Sequence, residues 1–425
     1  MASTEYNLIF CTKSYPYSKA VEGTFIDPEI SCLNSSFKSI ILLPESIEGK
    51  KQEIPSNILI STDFANVIQN RSFTSIIETF LQVIISPYLY KELFKNPAKT
   101  MRIYSIIQII ENLAIAIRTK KWILKYIGEN NIDLKKTIFY TYWLNKITIG
   151  LCLAKQQCPD IKIISRAHGG DLYEERSPFS YIPFRPIFFP YIDKIFADSI
   201  KGKDYLINKF PEYSPLFSTA RLGVPQQGFF SEISNDKVFR IVSCSFLVPV
   251  KRIDLLIKGL EILGKKNTDK IFEWTHIGDG PLRSELEKLA EKRLPKNLNY
   301  RFLGYVPEGG VISYYKNNMI DVFINVSSSE GTPVSIMEAQ SCGIPVIATD
   351  VGGNSEIVDE FNGAIISKDP DPSEIAKKII MFLTNTNQLK GKKVSSYHNW
   401  NTYYNSEKNH TEFIRDMINS TMNGK

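Results

Sequence analysis

The sequence is poor in the residues that usually build metal sites and disulfide frameworks. Four histidines occur in 425 residues, at 168, 276, 398 and 410. No two stand four apart on a helical pattern and there is no His-Glu-x-x-His run, which speaks against a histidine-based zinc site. Six cysteines, at 11, 32, 152, 158, 244 and 342, form no Cys-x-x-Cys pair. In a chain this long they read as reduced thiols of a cytosolic protein. Apolar runs are short. The longest, Ile103 to Ile117, is broken by Gln108, Glu111 and Asn112, so a spanning helix of about 18 apolar residues is not expected. The start, Met1-Ala2-Ser3-Thr4-Glu5, has neither the basic region nor the apolar core of a secretory leader. Charge of either sign is scarce in excess: 51 basic side chains against 45 acidic give +6, too little to point to nucleic acid, which is not expected as a partner.

What remains is ordinary globular composition, 43% apolar and 23% charged, enough chain for two or three domains. Charge is uneven, however. Between Lys91 and Lys136 ten basic residues face four acidic ones, a local net of +6. Apolar residues at helical spacing (Ile106, Ile107, Ile109, Ile110, Leu113) share that segment. It reads either as a core-packed helix with a solvated lysine face or as a basic amphipathic surface for an anionic membrane.

Short β-branched runs alternate with helical patterns almost throughout. Strands are expected at 7–11, 39–43, 137–142, 162–166, 194–197 and 218–221, then at 240–244, 273–277, 299–302, 321–326, 346–349 and 364–366. Helical patterns cover 254–263, 281–294 and 407–419. Continuous apolar strands alternating with helices imply parallel sheets covered on both faces. The polar stretch Pro225 to Asp236 reads as the linker. The expectation is an α/β chain of two doubly wound Rossmann-like domains facing across a cleft: residues 1–224, joined by the terminal helix from about 400 to 425, and residues 225–399. Ligands in such sheets bind beyond the carboxyl ends of the strands.

The densest chemistry lies between Asn325 and Glu356, NVSSSEGTPVSIMEAQSCGIPVIATDVGGNSE. A strand leads into small residues, then Glu330-Gly331-Thr332-Pro333. Thr332 followed by Pro333 reads as a hydroxyl N-cap and a first-turn proline, and Gly343 and Pro345 read as the helix stop. Free N–H groups at the helix start make an anion site suited to a diphosphate, and Gly331 lets a ligand approach the backbone. Glu330 and Glu338 flank it as acceptors for sugar hydroxyls.

Glu330 and Glu338, seven residues apart within SEGTPVSIMEAQSCGIPVIATDVGG, resemble the signature of the retaining GT-B glycosyltransferases of the fourth family, which transfer sugars from nucleotide donors. Val242 to Arg252 resembles the diphosphate-contacting loop of that family. Ile277-Gly278-Asp279-Gly280-Pro281-Leu282 and Phe302-Leu303-Gly304-Tyr305-Val306 resemble its nucleoside-binding turns. The resemblance implies that Glu330 holds donor-sugar hydroxyls and that Gly331, Thr332, Pro333 and Val334 line the phosphates and sugar. It implies that Glu338 holds the ribose and that Lys251 neutralises the departing diphosphate, with Gly278, Tyr305 and Val306 also on the donor side. The family often carries an arginine five positions before that lysine. Phe246 stands there instead, and Arg252 is the candidate replacement, a helical or solvent-facing role being the other reading.

In the first half, Tyr15-Pro16-Tyr17 with Glu22-Gly23-Thr24-Phe25 resembles the family's glycine loop over the phosphates, with Gly23 supplying the flexibility where Ser18 replaces the usual glycine. Thr141-Tyr142-Trp143-Leu144 ends a strand and reads either as site or as aromatic core. Ser165 to Tyr173 resembles a motif of capsule and exopolysaccharide transferases. By that resemblance His168 contacts the donor sugar, and Asp171, Tyr173 and Arg176 line the acceptor side. A loop or helix cap is the competing role for Asp171.

The resemblance implies a metal-independent, front-face retaining transfer, with no cofactor and no metal site; Asp369-Pro370-Asp371 reads as a turn. A uridine diphosphate sugar is favoured over a guanosine one. The acceptor is a glycan or a lipid-linked sugar of a bacterial capsule, exopolysaccharide or lipopolysaccharide. The expected place is the cytoplasm, peripheral on the inner face of the cell membrane through 91–136. The alternatives are a nucleotide-sugar epimerase or phosphorylase on the same architecture, and a catalytically silent subunit that binds a nucleotide sugar.

Overall fold

A computed structural model describes residues 5–17, 22–70, 72–95, 97–307, 309–383 and 386–422. Two compact units are present, Met1–Arg221 with Glu407–Lys425, and Leu222–Ser406. Each is a parallel sheet flanked by helices, as the alternating pattern predicts.

The first unit holds β1 (Asn7–Thr12), β2 (Ser39–Pro44), β3 (Ile58–Ile60), β4 (Thr137–Thr141), β5 (Lys162–Ala167), β6 (Lys194–Ala197) and β7 (Phe217–Thr219). Their order is β3-β2-β1-β4-β5-β6-β7, every neighbour parallel. Successive side chains of β1 enter opposite layers: Leu8 and Phe10 one apolar cluster, Ile9 and Cys11 the other. Burial on both faces explains why the strand reads as a continuous apolar run rather than an alternation. Strand β3 escapes that pattern. It is a three-residue edge strand with one buried residue, too short to show a period.

The terminal helix Ser406–Met422 packs on this unit. Phe413, Ile414, Met417 and Ile418 join the layer of Leu8 and Phe10, and the Phe413 ring lies 5.4 Å from that of Tyr140. Arg166 of β5 is fully buried beneath it. Its guanidinium pairs with the Glu29 carboxylate, donates to the Ala220 carbonyl (3.2 Å) and faces the Phe413 ring at 4.4 Å. Tyr140 donates to the same Glu29 carboxylate (3.1 Å). A buried cation held by a partner, a carbonyl and a ring belongs to the interior. The motif that surrounds Arg166 in sequence therefore mixes core and surface.

The second unit holds β8 (Val238–Cys244), β9 (Ile271–Ile277), β10 (Leu298–Phe302), β11 (Val322–Asn325), β12 (Val346–Thr349) and β13 (Gly363–Ile366), in the order β10-β9-β8-β11-β12-β13 and all parallel. The helix Ile253–Lys266 buries Ile253, Leu256, Ile257, Leu260 and Leu263, one face at spacings of three and four. The polar stretch read as a linker is fastened to this unit. Ser231 donates its amide to the Cys342 carbonyl (2.9 Å), Glu232 accepts from Ile320 (2.7 Å), and Ser234 N–H reaches Asp321 (2.9 Å). Residues 225–236 thus form part of the second unit rather than a free spacer.

In each sheet the strand order reverses once, between β1 and β4 and between β8 and β11. Loops leaving the carboxyl ends on the two sides of such a point diverge and leave room for a ligand. Among the described residues no helix is long and apolar enough to cross a membrane.

Candidate active site

In the second unit the loops at the carboxyl ends of β8 and β11 meet. After β8 the chain makes a single turn, Pro249–Lys251, and Arg252 takes a left-handed conformation (φ 50°) before the next helix. This places Lys251 Nζ 2.7 Å from Glu330 Oε1. Asn325, the last residue of β11, donates Nδ2 to the same oxygen (3.0 Å) and accepts the Ser327 amide (3.0 Å). Lysine and glutamate are both largely buried, at 22% and 9% side-chain exposure. Screening by water is therefore weak and the charges are held in fixed places. Asn325 was not singled out in the sequence. An amide ending an otherwise apolar strand, at the sheet edge where ligands bind, is the signal that would have found it.

Gly331 follows, and the helix runs Val334–Ser341. It opens one residue later than the sequence suggests. Pro333 is extended (ψ 110°), its carbonyl accepts from Ile336 (3.2 Å), and no side chain caps the end. Pro333, not Thr332, is the N-cap. The amides of the first turn, Val334 among them, have no intrahelical acceptor in any α-helix. At the other end Gly343 is left-handed (φ 68°) and Ile344 N–H returns to the Ala339 carbonyl (2.9 Å), the glycine stop expected there.

Arg252, for which the sequence left open a replacement cation or a helical or solvent-facing role, is spent on protein contacts. Its Nε donates to the Val326 carbonyl (2.7 Å), Nη2 to the carbonyls of Ser327 (2.9 Å) and Lys368 (2.8 Å), and Nη1 to Asp369 (3.0 Å). With four of five N–H donors spent on protein, it braces the Glu330 loop against residues 368–369. Phe246, in the position of the family's arginine, is exposed.

The turns after β9 and β10 are sewn together. Gly278 (φ 131°) donates its amide to the Gly304 carbonyl (2.9 Å), and Leu247 N–H donates to the Asp279 carbonyl (2.9 Å). A Cβ on Gly278 would run into the Ser245 carbonyl. Tyr305 projects into solvent and Val306 is half-buried beside it. Beneath, His276 is enclosed, with Nδ1 at Ser243 Oγ (2.9 Å) and Nε2 at the Ser245 carbonyl (3.1 Å). Burial lowers its pKa to about 4, so it is neutral and structural.

Glu338 is half-buried on the helix that Pro333 opens. Loss of solvation pushes its carboxyl up to about 7.

The first-unit residues sit at the carboxyl ends of β1, β4 and β5. His168 follows β5 and is 7% exposed. Its ring stacks on Tyr142 (4.6 Å) and leans on Trp143 (4.9 Å), both following β4. Nδ1 lies 3.6 Å from Asp198, which follows β6. Asp198 was not expected from sequence, being one acid among many on a loop.

Asp171 takes the cap role, the competing reading offered for it, and is a clasp. One carboxylate oxygen takes the His168 amide (2.6 Å), the other the Leu144 amide (2.6 Å), which ties the ends of β4 and β5 together. Burial raises its pKa. Tyr173 is half-buried and Arg176 exposed, its guanidinium 5.0 Å over the Tyr173 ring. A second clasp is Glu22, fully enclosed. It accepts the amides of Lys13 (3.1 Å), Ser14 and Tyr15 (2.6 Å) and the indole N–H of Trp143 (2.8 Å). Gly23 is buried as the first residue of the helix Gly23–Ser36, so it is a helix start and not a flexible loop residue. Ser18 lies outside the described residues.

Comparison with known proteins meets this geometry at the second unit. Residues 226–401 match the family model described as "Glycosyl transferases group 1". This region is a glycosyl transferases group 1 domain. Its boundaries enclose Lys251, Glu330 and Glu338. The chain is 28% identical over 240 residues to the GtfA subunit of a UDP-N-acetylglucosamine–peptide N-acetylglucosaminyltransferase from Streptococcus agalactiae, covering 54% of this chain and 46% of that one. With two further curated relatives the match spans 42% and 30% of their lengths. An uncharacterized glycosyltransferase of Methanocaldococcus jannaschii is 26% identical over 324 residues, 72% of this chain and 80% of its own. Among solved structures, the lipopolysaccharide outer core galactosyltransferase WaaB superposes with a TM-score of 0.68 at 14% identity, over 97% of this chain and 99% of that one. The matched stretch therefore sits in a chain with the GT-B fold, and its bounds enclose the Lys251–Glu330 pair.

Proposed function

We propose that the chain is a retaining glycosyltransferase that moves a sugar from a uridine diphosphate donor onto a glycan or lipid-linked acceptor of a bacterial surface polysaccharide. The observation that carries this reading is the Lys251–Glu330 pair, 2.7 Å apart, at the opening of the helix Val334–Ser341 inside a group 1 domain. The relatives named above are transferases, one named for a UDP-sugar and one for lipopolysaccharide. They lend nothing to an epimerase or a silent subunit.

In this reading the donor diphosphate takes Lys251 and the first-turn amides, and Glu330 turns from the lysine to the sugar hydroxyls. Glu338 holds the ribose. His168, framed by Tyr142 and Trp143, is the candidate sugar contact of the first unit. The bond from the anomeric carbon to the phosphate oxygen breaks, the acceptor oxygen attacks from the same face, and its proton passes to the departing phosphate. The protein contributes position and charge, not a base. A double displacement would need a carboxylate on the opposite face. Lys251 and the helix amides supply the positive charge that a metal ion supplies elsewhere. A lipid-linked acceptor would keep the enzyme at the cytoplasmic face of the membrane.

The test is turnover of a panel of UDP-sugars with lipid-linked and free glycan acceptors, read by proton NMR at the anomeric position. Acceptor-dependent release of UDP with the donor's configuration kept in the product is expected. A product of inverted configuration would overturn the retaining mechanism.

A further inference from the structure

In the first unit the helix Phe73–Ile85 is turned inside out. Phe73, Ile77, Phe80, Leu81, Ile84 and Ile85 are exposed, Phe73 and Ile85 to 77%. They recur at spacings of three and four, so they form one face. Only Thr79 and Val83 of this helix are buried. The side that holds it to the protein is largely polar. Thr79 Oγ1 accepts from Arg118 (3.2 Å) and Glu78 pairs with Lys121, both on the helix Ile103–Glu129. Residues 78 and 79 thus meet the middle of the longer helix, at 121 and 118. In the first turns of the longer helix Ile103 (79% exposed), Tyr104 and Ile107 are bare as well. Phe94 and Met101, on the connection between them, are exposed too.

The basic segment singled out in the sequence divides at this point. Its later cations are tied to protein: Arg118 to Thr79 and the carbonyls of Ile68 and Asn70, Lys121 to Glu78, Lys125 to Glu129 (3.6 Å), Lys136 to Glu5 (2.6 Å). Of its early cations Lys99 is half-buried and donates to the Ser180 carbonyl (3.1 Å), while Lys91, Lys95 and Arg102 are exposed. The acid among them, Glu92, is buried (2%) and accepts from the Tyr181 hydroxyl. A broad apolar surface with exposed cations in the same segment does not match the scattered apolar residues of an ordinary monomer surface.

We propose that this face is a membrane-docking surface. The apolar side of Phe73–Ile85, continued by Ile103, Tyr104 and Ile107, sits at the headgroup–acyl boundary of an anionic bilayer, and Lys91, Lys95 and Arg102 meet lipid phosphates. The contact thus lies at 73–107, not along the whole of 91–136. Charge favours lipid over a second copy of the chain, since two copies meeting through this face would bring like cations together. The surface lies in the unit that lacks the donor domain, so it stands or falls apart from the donor reading.

The experiment is flotation of the full chain with vesicles of phosphatidylcholine, with and without phosphatidylglycerol. Binding to the anionic vesicles that weakens with added salt is expected. Phe80→Asp with Ile84→Asp should lower partitioning by about tenfold or more, and Lys91→Glu with Lys95→Glu should remove its salt-dependent part. These residues are exposed, so the fold should survive; Phe80→Ser with Ile84→Ser is the milder second variant, and thermal melts check both. No flotation of the unaltered protein, or flotation indifferent to these changes, would overturn the proposal. So would a dimer in sedimentation velocity that Phe80→Asp with Ile84→Asp splits, without vesicle binding. UDP binding on the same preparations separates this result from the donor reading.

Discussion

Lys251→Ala should lower turnover roughly 100- to 1,000-fold, the usual loss when one preorganised charge or donor is removed from a reacting centre. The reasoning starts from the pair itself. Lys251 and Glu330 lie 2.7 Å apart and are largely withdrawn from water, so neither charge is well replaced by solvent. A lysine there stabilises the negative charge that grows on the leaving diphosphate, and this contact strengthens as the bond breaks. The loss should therefore fall on kcat more than on KM. Glu330→Ala should cost a similar factor for a different reason. It strips the donor sugar of its hydroxyl partner and leaves both Lys251 and the Asn325 amide without the carboxylate to which each donates. The double variant should lose less than the product of the two, since the side chains act as one unit. Near-normal turnover of either folded single variant would remove the pair from the mechanism.

Gly352→Ala should destabilise the second unit by roughly 2–4 kcal/mol, a fall of about 5–10 °C in its melting temperature. Gly352 is left-handed (φ 50°), and an added Cβ would fall well under 3 Å from the Glu330 carbonyl oxygen. Its neighbour Gly353 donates its amide to the Gly331 carbonyl (2.9 Å). The backbone of the 330–331 turn thus lies against 352–353 with no space between. Relief of the clash must move Glu330 away from Lys251, so donor affinity should fall along with stability. Gly391→Ala is the internal comparison. It sits exposed in the helix Thr386–Tyr403, and its Cβ would meet nothing within 4 Å. It should be neutral or stabilise by up to about 1 kcal/mol. Equal melting temperatures for the two variants would show that the close approach at 352 is not tight in solution.

The parts of the fold and site that could be read from the sequence are those encoded over a few neighbouring residues. Strand, small residues, glutamate, helix start and glycine stop follow one another from Val322 to Gly343, so local pattern alone laid out the turn on which Glu330 and Glu338 stand. Side chains whose role depends on distant partners were not readable in this way. Arg252 looked like a spare cation beside Lys251, but its acceptors are at 326, 327, 368 and 369. For Asp171 the sequence left an acceptor contact and a cap open; the cap is found at the His168 amide, but its second amide partner, Leu144, is twenty-seven residues away. Arg166 ends an expected strand, and its burial against Glu29 and Phe413 depends on partners far along the chain. The helix Phe73–Ile85 has the opposite difficulty. Its apolar periodicity is clear, but period alone does not say whether a stripe faces core or solvent.

The most direct measurement is calorimetric titration of the protein with UDP-sugars, GDP-sugars and ADP-sugars in the presence of EDTA, at pH 8 and at pH 6. A UDP-sugar should bind without metal, and about tenfold more tightly at pH 8. The sign follows from Glu338, whose carboxyl titrates at about 7. The ribose is held by the ionised form, so at pH 6 the free protein carries a proton that binding must expel, and at pH 8 it does not. The diphosphate of a nucleotide sugar does not titrate in this range, and Glu338→Gln should flatten the profile. Binding of no nucleotide sugar under either condition, or binding that requires a divalent cation, would contradict a donor site built on Lys251, Glu330 and the helix Val334–Ser341.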